Sequence, residues 1–340
     1  MKKQNLLELT IEELKAFAAG MGEPPFRGKQ LFRWMNQGVK SFDNMTDLSL
    51  SFREELKKRA YLSCTEIIKV QEDKKDGTKK FLFALEDGNA VEGVYMKYKY
   101  GNSLCISSQV GCKMGCSFCA SALGGFVRNL SSAEMMGQVL EAEGFTGEKI
   151  NHVVVMGMGE PLDNYENLRR FLINIHEPSG KNMSYRNITV STSGILPAMR
   201  RFAVDFPQVN LAVSLHSLDD EERSIIMPVN KIYALEDLLR ESRSYTEATG
   251  RRITFEYTLI KGRNDGDAHL RLMKEKLRGM LCHVNLIPLN AVDETGYVGS
   301  GRRRAEEMAA DLAKAGIPAT VRRELGREID GACGQLRRRH

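Results

Sequence analysis

No run of about 18 apolar residues occurs in the 340-residue chain, so the sequence offers no membrane-spanning helix. The N-terminus, Met1-Lys2-Lys3-Gln4-Asn5-Leu6-Leu7-Glu8, lacks the apolar core of a signal peptide. Cysteine is scarce and odd in number: seven, of which three fall within eight residues. That pattern argues against a secreted disulfide framework and for metal or redox use in a reducing compartment. The expectation is a cytoplasmic protein with no membrane partner. An excess of one charge sign is also missing, because the formal net charge is only +5. Its distribution carries more. Residues 1–60 hold 11 Lys/Arg against 8 Asp/Glu, and residues 301–340 hold 10 against 6, including Arg302-Arg303-Arg304 and Arg337-Arg338-Arg339. Basic ends suit a polyanion, since each neutralised phosphate releases counterions. A solvated surface has the same composition. With 42% hydrophobic and 27% charged residues, the chain can bury a sizeable core in one large or two medium domains.

The densest chemical signal is Cys112-Lys113-Met114-Gly115-Cys116-Ser117-Phe118-Cys119. Three soft sulfur ligands this close select an iron–sulfur cluster, zinc or Cu(I). A structural zinc site needs four ligands, and no further Cys or His follows nearby. Three ligands on a four-iron cluster leave one iron open, and the spacing favours that reading without removing zinc. Cys105 lies seven residues upstream in a predicted strand. Cys333 sits between small residues near the end of the chain, where packing as a small hydrophobe is the plain alternative. Cys64 and Cys282 belong to no motif and read as packing residues.

Residues 7–60 have helical periodicity. Thr10 and Glu13 form a capping box, Phe26 to Met35 places apolar residues at helical spacing with Arg27, Lys29 and Arg33 on the polar side, and a third helix runs from Leu50 to Leu62. The period changes to alternation over 64–99, with turns at Asp76-Gly77 and Asp87-Gly88. Glu92 falls in the third of these strands and reads as a surface residue. From Ser103 strands and helices alternate. Predicted strands are Ser103 to Gln109, His152 to Met156, Asn187 to Ser191, Asn210 to His216, Ile253 to Ile260 and His283 to Leu289, with a last strand at Ala319 to Arg323. Six β–α units make an α/β parallel sheet, curled as a partial barrel or wound as an open sheet. The unusual residues cluster at the C-terminal ends of strands, where such folds carry function. Gly157-Met158-Gly159-Glu160-Pro161 is among them, and it lacks the third glycine of a dinucleotide fingerprint.

The Cys-x3-Cys-x-aromatic-Cys pattern, with Phe118 as the aromatic, resembles the radical S-adenosylmethionine (SAM) signature. Gly157 to Pro161 resembles that superfamily's motif for the methionine amino group of SAM. With Cys105-Ile106-Ser107-Ser108-Gln109-Val110-Gly111-Cys112, Arg128-Asn129-Leu130, Val190 to Gly194, Ser214-Leu215-His216-Ser217, Met227-Pro228, His283 to Asn290 and Ala332-Cys333-Gly334-Gln335-Leu336, the chain is similar to the RlmN/Cfr family of radical SAM adenosine methyltransferases. Gly331 departs from the family, which commonly has alanine there. Pro161 favours the carbon-2 branch, since the carbon-8 branch typically has alanine at that position.

The resemblance implies a partial (β/α)6 barrel at 101–318, a helical RNA-contacting accessory domain at 1–62, a β-hairpin linker region at 63–100, and a C-terminal extension at 319–340 carrying Cys333. It implies a 4Fe-4S cluster on Cys112, Cys116 and Cys119, two SAM per turnover, and a SAM site of Gly159, Glu160, Ser191, Ser214, Leu215, His216 and Asn290. It further implies that Cys333 carries a methyl group, that a SAM-derived radical takes hydrogen from it, and that the resulting carbon adds to adenine carbon-2. Cys105 then releases product by forming a disulfide with Cys333, and Glu92 is the general base. The implied partners are 23S rRNA, certain tRNAs and a one-electron reductant such as flavodoxin or ferredoxin, acting on a monomer. A carbon-8 methyltransferase, or a non-catalytic iron–sulfur RNA-binding protein, is the alternative.

Overall fold

The computed structural model describes residues 3–63, 65–290, 293–323, 325–326, 329 and 334–336. Helices α1 (Ile11–Ala19), α2 (Phe26–Asn36) and α3 (Leu50–Arg59) form the N-terminal module. The Thr10/Glu13 capping box is present, so two backbone donors at the start of α1 are satisfied reciprocally. Leu14, Leu31, Phe32, Met35, Phe52 and Leu56 bury the facing sides. The third helix stops at Arg59, short of the expected Leu62. Ala60–Tyr61 instead pairs in parallel with Gln4–Asn5, and the Asn5 amide donates to the Ser63 carbonyl at 2.8 Å. A tertiary partner for the backbone thus replaces the last helical turn.

One sheet holds ten strands: β1 (Glu66–Glu72), β2 (Lys79–Ala84), β3 (Ala90–Tyr98), β4 (Gly101–Ile106), β5 (His152–Val155), β6 (Ile188–Thr192), β7 (Asn210–Ser214), β8 (Ile253–Leu259), β9 (Cys282–Pro288) and β10 (Ala319–Val321). Their order across the sheet follows the chain. Strands β1 to β4 are antiparallel, with left-handed Gly77 and Gly88 in the first two of the three turns that join them. From β4 to β10 all pairings are parallel. The stretch read as a hairpin linker is therefore continuous with the barrel sheet, since β3 pairs directly with β4.

The crossover helices are α4 (Ser132–Thr146), α5 (Tyr165–His176), α6 (Leu196–Asp205), α7 (Asp220–Ile226), α8 (Leu235–Thr249), α9 (Asp267–Lys276) and α10 (Gly301–Lys314). Strand side chains alternate between faces. Val153, Val155, Ile188, Val190, Leu211, Val213, Phe255, Tyr257, Val284 and Leu286 are all fully or almost fully buried. The other face carries Cys105, Val154, Thr189 and Asn210 in one register row, and Ser214, Glu256, Asn285 and Thr320 in another. An apolar outer face under helices and a polar inner face define a partial barrel with a usable interior.

The strand expected to run from Ser103 to Gln109 ends at Ile106. The Gln138 side chain on α4 takes up the Ser107 backbone: its Oε1 accepts the Ser107 N–H at 2.8 Å and its Nε2 donates to the Ser107 carbonyl at 3.0 Å. The chain then turns, and Gln109–Gly111 pairs antiparallel with Phe126–Asn129, bracketing the cysteine loop.

Candidate active site

The three clustered cysteines lie on one wall of a cleft at the C-terminal ends of the barrel strands. Their loop is fastened at both ends. The Cys112 N–H donates to the Gly125 carbonyl at 3.1 Å, and the Ser117 N–H donates to the Ile226 carbonyl at 3.0 Å. Phe118 is buried with Ile226, Met227, Val229 and Ile260, and meets the His216 ring edge-on at 4.9 Å. The aromatic of the motif is thus the loop's apolar anchor. Burial pushes the Cys112 thiol up to about 12 and the Cys116 thiol well above its ordinary value. Such sulfurs stay protonated until a metal takes them as thiolates. Among the described residues no three His, Cys, Asp or Glu are disposed to hold one metal ion. Three sulfurs on one cleft wall that do not converge on a single ion fit a multi-iron cluster better than a mononuclear zinc site.

The next part of the wall is Gly157 to Pro161. Gly159 has φ +104°, and a Cβ there would stand 2.5 Å from the Gln109 Cβ. Only glycine permits that approach without displacing Gln109. The contact matters because Gln109 joins three segments. Its Oε1 accepts the Glu160 N–H at 2.8 Å, while its Nε2 donates to Asn129 Oδ1 at 2.8 Å and Asp163 Oδ2 at 2.9 Å. Glu160 is buried, and desolvation raises its carboxyl above the usual range against hydrogen bonds that favour the charged form. Its Oε1 accepts the Leu162 N–H at 3.1 Å and its Oε2 accepts the Ser193 N–H at 2.7 Å.

Ser191, Ser193, Ser214, His216 and Asn290 complete the cleft, which is open to solvent. His216 adopts φ +55°, uncommon for a non-glycine residue. The Asn264 amide holds that turn, donating to the His216 carbonyl at 2.6 Å and the Thr258 carbonyl at 2.7 Å. His216 Nδ1 accepts the Thr258 N–H at 3.0 Å, so the neutral ring carries its proton on Nε2. Burial, with the Arg223 charge, lowers its pKa to about 3 and keeps it neutral. Leu215 is an exception among the expected SAM-site residues. It is fully buried in the core and does not line the cleft, because alternation turns it away while Ser214 and His216 face inward.

Cys105 and Glu92 lie on the inner face, in the register rows around Val94, but neither lines the cleft. Glu92 is buried, not at the surface, and its Oε1 stands 3.2 Å from Lys80 Nζ, a cation equally buried. Cys333 lies outside the described residues, as do Cys64 and Arg337 to Arg339. The residue after Cys333, Gly334, lines the cleft together with Leu336. Their carbonyls accept the Ala120 N–H and the Ser121 hydroxyl, both at 2.7 Å, so the C-terminal segment is stitched to the cysteine loop. Among the described residues no disulfide joins two cysteines. Cys282 is buried as packing.

The sequence reading missed Glu256, Asn285 and Arg322. Glu256 and Arg322 line the cleft, Glu256 Oε2 accepts from Asn285 Nδ2 at 2.8 Å, and Arg322 Nη1 approaches it to 3.9 Å. A lone glutamate between Phe255 and Tyr257 was the available signal. The expected RNA-facing cations are partly engaged within the chain. Arg33 pairs with Asp47 at 2.5 Å, and Arg302, Arg303 and Arg304 pair with Glu306, Glu307 and Asp267. Lys29 stays exposed.

A partial α/β barrel with three cysteines, a glycine–glutamate loop and polar strand ends around one cleft defines a radical SAM enzyme. Residues 106–273 match the radical SAM superfamily, and residues 4–62 match the ribosomal RNA large subunit methyltransferase N-terminal domain. The chain is 51% identical over 340 residues to a probable dual-specificity RNA methyltransferase RlmN of Alkaliphilus oremlandii, covering 100% of this chain and 99% of the relative. It is 49% identical over 339 residues to the protein of that name from Desulforamulus reducens, covering 99% and 97%. The crystal structure of a radical SAM methyltransferase from Sphaerobacter thermophilus superposes with a TM-score of 0.94 at 42% identity, covering 98% of this chain and 99% of that one. The chain belongs to the RlmN family of radical SAM RNA methyltransferases. No described helix is long and apolar enough to cross a membrane.

Proposed function

We propose that the protein methylates carbon-2 of a specific adenosine in 23S rRNA and in certain tRNAs. The observation that carries this reading is the convergence on one cleft of Cys112, Cys116 and Cys119, Gly159 and Glu160, Ser191, Ser214 and His216, Asn290 and the residue that follows Cys333. Adenine carbon-2 is electron-poor and does not attack a SAM methyl group directly, so the cofactor performs the difficult step. Cys112, Cys116 and Cys119 would hold a 4Fe-4S cluster which, with SAM bound in the cleft, would supply a carbon radical able to take hydrogen from an S-methyl group. Glu160 meets the SAM amino group, and His216, held neutral, presents an Nε2–H donor. The Cys333 thiolate accepts a methyl group from a first SAM and presents it to the base. The methylene radical on Cys333 would bond to carbon-2, and once the adduct has returned one electron to the oxidised cluster Glu92 would take the carbon-2 proton. The Cys105 thiolate would then attack the Cys333 sulfur, forming a disulfide while the pair of the broken C–S bond goes to the methylene carbon, which takes a proton to become the product methyl group. Residues 1–62 act as an RNA-contacting accessory domain, with exposed Lys29 on its surface. The target adenosine is unstacked into the cleft, because the cleft admits a base only out of its helix.

The test is mass spectrometry of nucleosides from 23S rRNA and tRNA incubated with SAM and reduced, cluster-loaded protein. 2-Methyladenosine is the expected product. 8-Methyladenosine assigns the chain to the carbon-8 chemistry instead, and no methylated adenosine from either RNA overturns the reading.

A further inference from the structure

The charge buried most completely among the described residues is Arg223, which has no exposed surface. It sits on α7, whose last residue, Ile226, accepts the Ser117 N–H of the cysteine loop. Met114, Cys116 and Cys119 pack against the small core that Ile226 shares with Phe118. The helix carrying Arg223 is therefore docked on the loop that carries the cluster ligands.

All four hydrogen bonds of the guanidinium go to neutral oxygen atoms. Nε donates to the Leu215 carbonyl at 3.0 Å and Nη1 to Asn230 Oδ1 at 2.6 Å. Nη2 donates to the Ser193 and Ser214 carbonyls at 2.9 and 3.2 Å. A buried cation satisfied only by dipoles is costly unless an opposite charge stands near. Burial lowers Arg223 to about 10, which leaves it charged at neutral pH, and the Asp220 charge opposes that effect. The Asp220 carboxylate is already engaged, accepting from Asn230 Nδ2 at 2.9 Å and the Leu235 N–H at 3.1 Å.

We propose that Arg223 is the fixed countercharge of the iron–sulfur loop: a positioning residue that favours the reduced cluster and ties the Ser193 and Ser214 strand ends beneath it. This rests on the reading that Cys112, Cys116 and Cys119 hold the cluster. Adding an electron to a thiolate-bound cluster increases its negative charge, and a cation in the same low-dielectric wall stabilises the reduced form. The electron comes from an external one-electron reductant. Arg223 touches no reacting atom and acts through the loop and the two strand ends.

The experiment is an anaerobic redox titration of the reconstituted full-length protein, followed by the electron paramagnetic resonance of the reduced cluster. Wild type, Arg223→Lys and Arg223→Gln are compared at equal iron and sulfide content. Arg223→Gln removes the charge and keeps donors, and is expected to lower the reduced-to-oxidised ratio at a fixed potential about tenfold, ~59 mV for a one-electron couple. Arg223→Lys keeps the charge and is expected to stay closer to wild type. An unchanged potential in Arg223→Gln, with only melting temperature or SAM affinity reduced, overturns the proposal. If Arg223→Gln does not load iron, Arg223→Ala is titrated with added guanidinium or its neutral isostere urea. Recovery with guanidinium alone supports the countercharge, and equal potentials with both additives overturn it. These readouts need no RNA product, so their failure is distinct from failure of the proposed methylation.

Discussion

Glu160 Oε2 accepts the Ser193 backbone N–H at 2.7 Å, so one buried carboxylate bridges the loop after β5 and the end of β6. Its other oxygen caps Leu162. Glu160→Ala strands both backbone donors, each costing about 1–3 kcal/mol when buried and unpaired. The expected result is a lower melting temperature together with lost SAM binding, read by scanning and titration calorimetry. Glu160→Gln, which can still accept one bond, should lose less stability than Glu160→Ala. Equal melting temperatures for wild type and Glu160→Ala contradict the bridging role.

Glu256 tests the electrostatics of the cleft. Burial raises its carboxyl above the ordinary 4.5, while Arg322 and Asn285 pull the other way. The folded state therefore holds the proton more tightly than the unfolded chain. The stability this contributes is fully present below the unfolded value near 4.5 and is lost as pH rises through the raised folded value. Glu256→Gln keeps an acceptor for Asn285 and removes the titration. Its stability relative to wild type should increase as pH rises from 4 towards 7. Urea unfolding at several pH values checks this, and a constant difference across the range argues against it.

The Lys80–Glu92 pair is buried on both sides. Removing one partner of a buried pair costs about 3–5 kcal/mol, whereas replacing both with apolar residues can be neutral. Lys80→Met should therefore be strongly destabilising, and Lys80→Met combined with Glu92→Leu should recover much of the loss. A double-mutant cycle by urea unfolding measures the coupling. Additive losses sink the claim that the two charges stabilise one another.

For the cluster ligands, Cys116→Ser replaces a soft sulfur by a hard hydroxyl. Iron and sulfide per chain should fall sharply after anaerobic reconstitution, and the charge-transfer absorbance of the cluster should disappear. The fold should persist by circular dichroism, since the loop is held by Phe118 packing and by the Ser117 N–H bond to Ile226. Normal iron content in this variant removes Cys116 from the ligand set.

Motif-bearing loops were legible in the chain because their chemistry needs particular atoms at short spacing. The cysteine triplet, Gly159-Glu160 and the Ser214–His216 turn all reach the same cleft. Leu215 was carried along by its place in a motif, yet strand alternation points it into the core. Glu92 read as a surface residue because a single strand does not say which face is covered. The strand and helix ends moved for a related reason, as Gln138 and Asn5 supply backbone partners from distant segments.

The sequence by itself determined the alternation of strands and helices, the three sulfur ligands and the glycine that the Gln109 approach requires, because periodicity, ligand softness and backbone sterics act over a few residues. Only the tertiary structure decided that β1 to β3 extend the barrel sheet, that Lys80 faces Glu92, and that Arg223 lies beneath Ser193 and Ser214. Those relations depend on burial and on long-range register, and charge in a buried place acquires its meaning from what the fold brings beside it.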